Sequence, residues 1–369
     1  MFKAITEGKA RIKVPVGEKI SRSLDVFYNP VMKFNRDISV ILLKALNMKS
    51  MDIADPLAAS GVRSIRFASE LPRKMINRIV LNDGSARAVS NIKANLRLNK
   101  LKLEVHNKEA NSFLLSQNAF DYIDIDPFGS PNPFLDAAMK RLKRHGILAI
   151  TATDTGALAG AFRDAGIRKY QAVPLKNDFM HETGLRILIR KAQLVACQYD
   201  MALVPIMGFF KDHYYRIFFQ MNEGAIGASK VINQHEFLLS CRKCLKCQVS
   251  HFNTANCHGK MEYAGPLWAG KLGEPALIRK MIGLTDEKRL KSFLAILEQE
   301  FMHNIIGFYD TSTIAKKYRL KLIPKKSAIV KWLRKKNYTA IDTHISPSCI
   351  KTDAPMELII KVYCSSTKK

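Results

Sequence analysis

The stretch MDIADPLAASGVRSIRFASEL, residues 51–71, decides the fold. MDIADPLAAS reads as a strand running into a turn, and VRSIRFASEL as the helix that follows. The unit recurs downstream. RIVLND (78–83) is a strand followed by the helical SARAVSNIKANLRLNKL (85–101). FDYIDIDPF (120–128) precedes the helical PNPFLDAAMKRLK (131–143), and GILAITATD (146–154) is a further strand. Strands separated by helical segments predict βαβ units and a parallel sheet, hence an α/β, Rossmann-like first domain. The pattern persists to about Asn222. The small, glycine-containing EGAIGAS that follows reads as a linker, which predicts domains at 1–222 and 223–369. Beyond it come a cysteine cluster and two helical stretches, EKRLKSFLAILEQEF and SAIVKWLRKKN, consistent with a smaller α+β domain.

The turn in the opening stretch suggests a ligand. Ala58, Ala59, Ser60 and Gly61 carry little side chain, so a ligand can approach the backbone closely there. Asp83 ends the next strand, 22 residues past Gly61, where doubly wound folds place an acid on ribose hydroxyls. Glu109-Ala110 falls at the expected end of the third strand, at the same crevice. No G-x-x-x-x-G-K-[ST] cradle is present, which disfavours nucleoside triphosphate hydrolysis. A nucleoside without phosphates points to S-adenosylmethionine.

The catalytic candidate is Asp126-Pro127-Phe128-Gly129, at the end of FDYIDIDPFGS. An aspartate, a proline and an aromatic at a strand's carboxyl end are similar to the D/N-P-P-Y/F signature of methyltransferases acting on exocyclic amines. Such an amine is a poor nucleophile because its lone pair is delocalised into the ring. A carboxylate that accepts its N–H bond localises the lone pair and can take the proton. Phe128 is placed to stack on the presented base. The plain alternative makes Asp126 a turn cap and Phe128 a core residue.

The chain's 369 residues carry 59 Lys plus Arg against 32 Asp plus Glu, a net charge of +27. That excess calls for a polyanionic partner. Ten of the cations lie between Lys316 and Lys336 with no acidic residue among them, interleaved with Tyr318 and Trp332. This run predicts a phosphate-binding face. No segment approaches the eighteen apolar residues of a membrane span, and MFKAITEGKARIKV has no signal-peptide core, so a cytoplasmic setting is expected. No protein partner is implied.

Four of the seven cysteines, Cys241, Cys244, Cys247 and Cys257, lie within SCRKCLKCQVSHFNTANCHGKM. An odd total without a secretion signal argues against a disulfide framework. The C-x-x-C-x-x-C run suits a tetrahedral thiolate site for a structural Zn²⁺, with Cys257 as the fourth ligand and His251 and His258 as competitors.

The chain resembles the tRNA guanine-26 N2-dimethyltransferase family, in its compact archaeal form. The motifs that carry the resemblance are ITEGKARI, VFYNPVMKFNRDIS, ASGVRSIR, NDGSARAVSNIKANLRLN, DIDPFGSPNPFLDAAM, HETGLRILI, AGPLWAGKLG and THISPSCIKTDAP. The resemblance implies a Rossmann-like S-adenosylmethionine-dependent methyltransferase domain, a tRNA partner, and one or two methyl transfers to the exocyclic N2 of guanine. It puts catalysis on Asp126 and the hold on the guanine on Phe27 and Phe128. It puts cofactor contacts on Arg36, Arg63 or Arg66, Asp83, Glu109 and Ala110. Thr254 stands where the family's second C-x-x-C would begin, so Cys247 is the weakest of the four thiols as a ligand. Two other readings remain: a methyltransferase for a different exocyclic amine, and a zinc-containing RNA-binding protein without activity.

Overall fold

The repeated strand–helix units form the middle of one seven-stranded sheet. The structure, a computed structural model, describes residues 2–15, 26–320 and 322–365. Its first half opens with β1 (Phe2–Glu7), β2 (Ala10–Pro15), α1 (Lys33–Leu46), β3 (Met51–Asp55) and α2 (Val62–Glu70). Next come β4 (Ile76–Asn82), α3 (Ala86–Leu98), β5 (Glu104–His106), α4 (Ala110–Leu115) and β6 (Phe120–Ile125). α5 (Leu135–Met139), β7 (Leu142–Ala152), α6 (Thr155–Leu158), α7 (Arg163–Tyr170), α8 (Met180–Cys197), β8 (Met201–Lys211) and β9 (Tyr214–Glu223) complete it.

The strand order is β5-β4-β3-β6-β7-β9-β8. The first five strands are parallel, and β9 and β8 join antiparallel. Sequence order reverses between β3 and β6, and in such sheets the crevice opens beyond the carboxyl ends at that reversal. Ile53, Ala54, Ile123 and Ile125 are fully buried there, as strands covered on both faces require. Gly61, at φ 75°, starts α2 so close to the neighbouring layer that a Cβ would sit 3.3 Å from Ile92.

Two segments differ from expectation. PNPFLDAAMKRLK contains only five α-helical residues, after a 3₁₀ turn at Asn132–Phe134. Pro131 and Pro133 remove donors from its start, and Leu142 already pairs with Phe120 in the sheet. EGAIGAS is no linker. Gly224, at φ 116°, turns the chain into α9 (Ala225–Ile232), which buries Ala228 and Val231.

The second half continues with β10 (His235–Ser240), β11 (Cys247–Ser250), β12 (Glu262–Trp268), α10 (Pro275–Gly283) and α11 (Lys288–His303). β13 (Tyr309–Asp310), α12 (Thr311–Lys317), α13 (Lys326–Lys335), β14 (Ala340–Asp342), β15 (Cys349–Thr352) and α14 (Met356–Ser365) follow. These strands make two three-stranded antiparallel sheets, β11-β10-β12 and β13-β15-β14. The large sheet ends at Glu223, but the apolar core does not: Leu267, Ile278, Leu294 and Phe301 belong to the same cluster as Ile53 and Leu148. A separate cluster around Ile314, Ile329, Leu333 and Ile359 lies under α12, α13 and α14. No helix among the described residues is long and apolar enough to cross a membrane.

Buried charges bind the halves together. The Lys351 ammonium donates to Glu182 Oε2 at 2.6 Å and to the Ile305 carbonyl at 2.8 Å. Arg186 donates to Glu182 at 3.0 Å and to the carbonyls of Trp268 and Gly270. His344 accepts from the Phe210 backbone N–H at Nε2 and so donates to Glu300 through Nδ1. The HETGLRILI and THISPSCIKTDAP motifs therefore meet each other here.

Removing one partner of a buried pair strands the other charge without water. Lys351→Met is expected to lower stability by about 3–5 kcal/mol, read from urea unfolding, well beyond an exposed lysine control such as Lys331→Met.

Candidate active site

A cavity of about 460 Å³ opens at the carboxyl ends of the parallel strands. Asp55 ends β3, Asp83 follows β4, Asp126 follows β6 and Thr153 follows β7, and all four line it. The turn Ala58-Ala59-Ser60 forms part of its wall. The Asp83 carboxylate accepts from the Ala59 N–H at 2.8 Å and the Ser85 N–H at 2.9 Å, fixing the turn and α3 in one stroke. Ala59 sits in the left-handed region at φ 51°. A volume of this size and these small side chains fit a nucleoside-sized ligand.

Beneath the cavity lies a chain of alternating charges. Asp124, on β6, is completely buried and accepts from Arg216 at 2.8 and 2.7 Å and from the Tyr122 hydroxyl at 2.6 Å. Burial alone would raise the Asp124 pKa, but Arg216 and then Arg63 bring it below the usual carboxylate range. Arg63, on α2, lies 3.5 Å from Asp124 and donates directly to Asp126 Oδ2. Asn35 and Ser39 of α1 accept from its other nitrogen at 3.1 and 3.0 Å. Arg63 is thus held in charged form despite burial, by Asp124 and Asp126 together. Asp126 Oδ1 has no hydrogen-bond partner among the described residues. Asp55 behaves differently: burial, reinforced by the nearby Asp124, pushes its pKa up to about 7, against the pull of Arg63.

The aromatic pair is present at the mouth. Phe27 and Phe128 meet edge to face, with ring centroids 4.3 Å apart, and Phe128 is 40% exposed. Of the residues named from the sequence, Asp126, Phe128, Phe27, Arg36, Arg63 and Asp83 line this one cavity. Three others lie off its wall. Arg66 is occupied by Glu7, Asp37 and Glu70 at 3.0, 2.6 and 2.7 Å, which separates it from Arg63. Glu109 turns both oxygens onto its own helix, accepting from the Asn111 and Ser112 N–H groups, and Ala110 is buried behind it. Sequence reasoning missed Asp55 and Tyr28. The signal for Asp55 was available: Asp55-Pro56 ends β3 as Asp126-Pro127 follows β6.

The cysteine cluster also differs from expectation. The donor atoms of Cys241, Cys244, Cys257 and His258 all lie within 4.8 Å of one another. Cys244 Sγ is 3.5 Å from Cys257 Sγ, and His258 Nδ1 is 3.2 Å from Cys257 Sγ and 4.0 Å from Cys241 Sγ. Tetrahedral Zn²⁺ with its usual bond lengths needs edges of about 3.5–3.8 Å, so this set fits the ion. His258 replaces Cys247 in it. Cys247 begins β11 with its thiol directed to the Ile306 carbonyl at 3.8 Å, and it packs so tightly that a Cβ on Gly307 would come within 2.8 Å. His251 is remote too, beside Glu236 at 3.6 Å.

Residues 8–364 match the family model described as N2,N2-dimethylguanosine tRNA methyltransferase. The chain belongs to this family. The tRNA (guanine(26)-N(2))-dimethyltransferase of Thermococcus kodakarensis is 38% identical over 97% of this chain and 98% of its own length. The tRNA (guanine(26)-N(2)/guanine(27)-N(2))-dimethyltransferase of Aquifex aeolicus is 36% identical, over 97% and 94%. Among solved structures, Trm1 from Pyrococcus horikoshii in complex with S-adenosyl-L-methionine is similar at a TM-score of 0.87 and 34% identity, covering 98% of this chain and 99% of that one. The dimethyltransferase family assignment rests on nearly the whole chain, both halves included.

The cluster geometry separates one cysteine, Cys247, and two histidines, His251 and His258, that spacing alone did not. His258→Ala is expected to lower bound zinc, measured by elemental analysis after purification, while Cys247→Ser leaves about one zinc per chain. Loss of zinc from Cys247→Ser with retention by His258→Ala would restore the four-thiol set.

Proposed function

We propose that this chain transfers one or two methyl groups from S-adenosylmethionine to the exocyclic N2 of guanine 26 in tRNA. The observation that carries the reading is Asp126, which faces the cavity with one carboxylate oxygen pinned by Arg63 and the other unengaged among the described residues, beside the Phe27–Phe128 pair. S-adenosylmethionine, when bound, supplies an electrophilic methyl group on a sulfonium centre.

The residues then act as follows. Asp126 Oδ1 accepts an N–H from the guanine amine, localising the lone pair on nitrogen, and takes up the proton released on transfer. Arg63 keeps the carboxylate from rotating away, and the buried Asp124–Arg216 pair keeps Arg63 in place. Phe128 and Phe27 grip the base by stacking, which requires one ring to turn from its present edge-to-face contact. Asp83 is the acceptor for ribose hydroxyls, and the turn Ala58–Gly61 provides the close backbone approach. Arg36 and Arg63 are the cavity-lining arginines with which a cofactor would be bound; Arg66 is a scaffold residue in this reading. Glu109 is the N-cap of α4, with the buried Ala110 as that helix's first residue, and neither contacts the cofactor in this reading.

Residues 1–222 carry the chemistry and 223–369 grip the tRNA. Cys241, Cys244, Cys257 and His258 hold a structural Zn²⁺ that stiffens the β10–β12 sheet. The phosphate grip lies on α12 and α13. Lys316, Lys317, Lys331, Arg334 and Lys335 are exposed there, with Arg319, Lys325 and Lys336 exposed at the helix ends, while Ile329 and Leu333 turn inward. Lys321 of the same run lies outside the described residues. Phosphate contacts position the tRNA; the cavity selects the base.

The deciding assay uses labelled S-adenosylmethionine and unmodified tRNA transcripts, digested to nucleosides. Label is expected in N2-methylated or dimethylated guanosine and lost when adenine replaces guanine 26. Label in another nucleoside would keep the enzyme and discard the substrate; no label despite cofactor and tRNA binding would leave an RNA-binding protein. In the same assay Asp126→Ala is expected to lose at least about 10²-fold in kcat with near-normal tRNA affinity. Neutralising Lys331, Arg334, Lys335 and Lys336 together is expected to weaken tRNA binding and reduce its log–log salt slope by about 3. An unchanged slope would make the run an ordinary solvated face.

A further inference from the structure

The ITEGKARI motif has no part in the reading above, yet it delivers a buried carboxylate to the cavity's edge. Glu7 ends β1 and is 2% exposed. Both its oxygens are fully engaged. Oε1 accepts from Arg36 Nε at 2.7 Å and Arg66 Nη1 at 3.0 Å; Oε2 accepts from Arg36 Nη2 at 2.6 Å and the Tyr28 hydroxyl at 2.9 Å. Burial alone would raise the Glu7 pKa, but Arg36, Tyr28 and Arg66 bring it down to about 2. The turn after it is built for this delivery. Gly8 takes φ +57°, and a Cβ there would collide with Glu70 at 2.1 Å and Arg66 at 2.8 Å.

Two of the residues that Glu7 holds, Arg36 and Tyr28, line the cavity. The bidentate pair fixes the plane of the Arg36 guanidinium through Nε and Nη2, and Nη2 also donates to the Asn29 carbonyl at 3.1 Å. That leaves Nη1, which has no hydrogen-bond partner among the described residues. A guanidinium fixed along one edge presents the two N–H groups of its free nitrogen in a set direction, where they can donate to a carboxylate oxygen. Asp83, on the strand β4 side of the same cavity, suits ribose hydroxyls. An acid for the sugar and a pinned arginine match a ligand that is a nucleoside at one end and an amino acid at the other.

We infer that Glu7 is a positioning residue: from the N-terminal hairpin it aims Arg36 at the amino-acid carboxylate of the nucleoside ligand in the cavity. The inference rests on the reading that this cavity takes S-adenosylmethionine. It predicts that Glu7 matters for one group of the ligand and not for the rest.

The test is calorimetric binding of two probes to the full chain without tRNA. S-adenosylhomocysteine carries the amino-acid carboxylate; 5′-methylthioadenosine lacks it. Glu7→Gln is expected to weaken S-adenosylhomocysteine by about 10- to 100-fold and leave methylthioadenosine within about 2-fold. tRNA affinity is expected to stay unchanged, since the anion is not a phosphate. A purely structural role for Glu7 would lower the melting temperature while both probes kept their affinities below it, or would weaken both equally; either result overturns the inference. If Glu7→Gln does not fold, Glu7→Asp replaces it: the shorter carboxylate cannot span both arginines and Tyr28, so selective loss of S-adenosylhomocysteine is again expected, and wild-type discrimination overturns the inference. If the wild type itself fails to bind S-adenosylhomocysteine, the cofactor reading falls and takes this inference with it. If only the Glu7 variants behave as wild type, the cofactor reading stands and Glu7 has no such role.

Discussion

Asp124 is the constraint on which the site depends. It lies fully buried inside β6, two residues before Asp126, and a lone carboxylate there would be costly. Arg216 reaches it from β9 through two hydrogen bonds, and Arg63 reaches it from α2. Two cations around one buried anion leave a surplus positive charge, and that surplus is what Arg63 offers to Asp126 at the cavity. The carboxylate assigned to catalysis is therefore oriented by a charge relay that begins in the sheet interior. The antiparallel strand β9, beside β7, carries Arg216 to Asp124, Thr151 and Ser39 at once.

The same logic, buried charge satisfied by distant chain, recurs at two other places. Glu7 draws α1 and α2 to the N-terminal hairpin through Arg36 and Arg66. Glu182 and Glu300 draw β15 and the Thr343–Ile345 turn to α8 and α11 through Lys351 and His344. Breaking such pairs costs more than forming them gains, so they specify one arrangement of the elements rather than adding much net stability. These internal acids are matched by at least as many buried cations, so the chain's net charge of +27 is left to its surface, the outer faces of α12 and α13 included.

How much of this was legible follows from what each signal encodes. The β–α repeats were readable because strand and helix periodicity are local, and the strand-end acids Asp83 and Asp126 followed from them. EGAIGAS was misread because small residues serve a linker and a packed helix equally well; Ala228 and Val231 reveal a buried face only once β8 is beside them. Arg63 and Arg66 are three residues apart on one helix and look alike in sequence. Only their neighbours, Asp126 for one and Glu70 with Glu7 for the other, divide them. Glu109 was placed at the right strand end but caps its own helix.

The sequence by itself determined the fold class and the strand end at which the Asp126 carboxylate stands, because both are written in local periodicity; the cysteine cluster is written in spacing, and the family in a set of motifs spread along the chain. The tertiary structure decided the rest. It grouped His258 rather than Cys247 with the other three thiols, since β11 turns the Cys247 thiol away, and it put Arg63 rather than Arg66 on the cavity wall. It also joined Glu7 to Arg36 and Glu182 to Lys351. These choices depend on the directions in which side chains leave backbones far apart in sequence, and a buried charge takes whichever partner folding brings within hydrogen-bond reach.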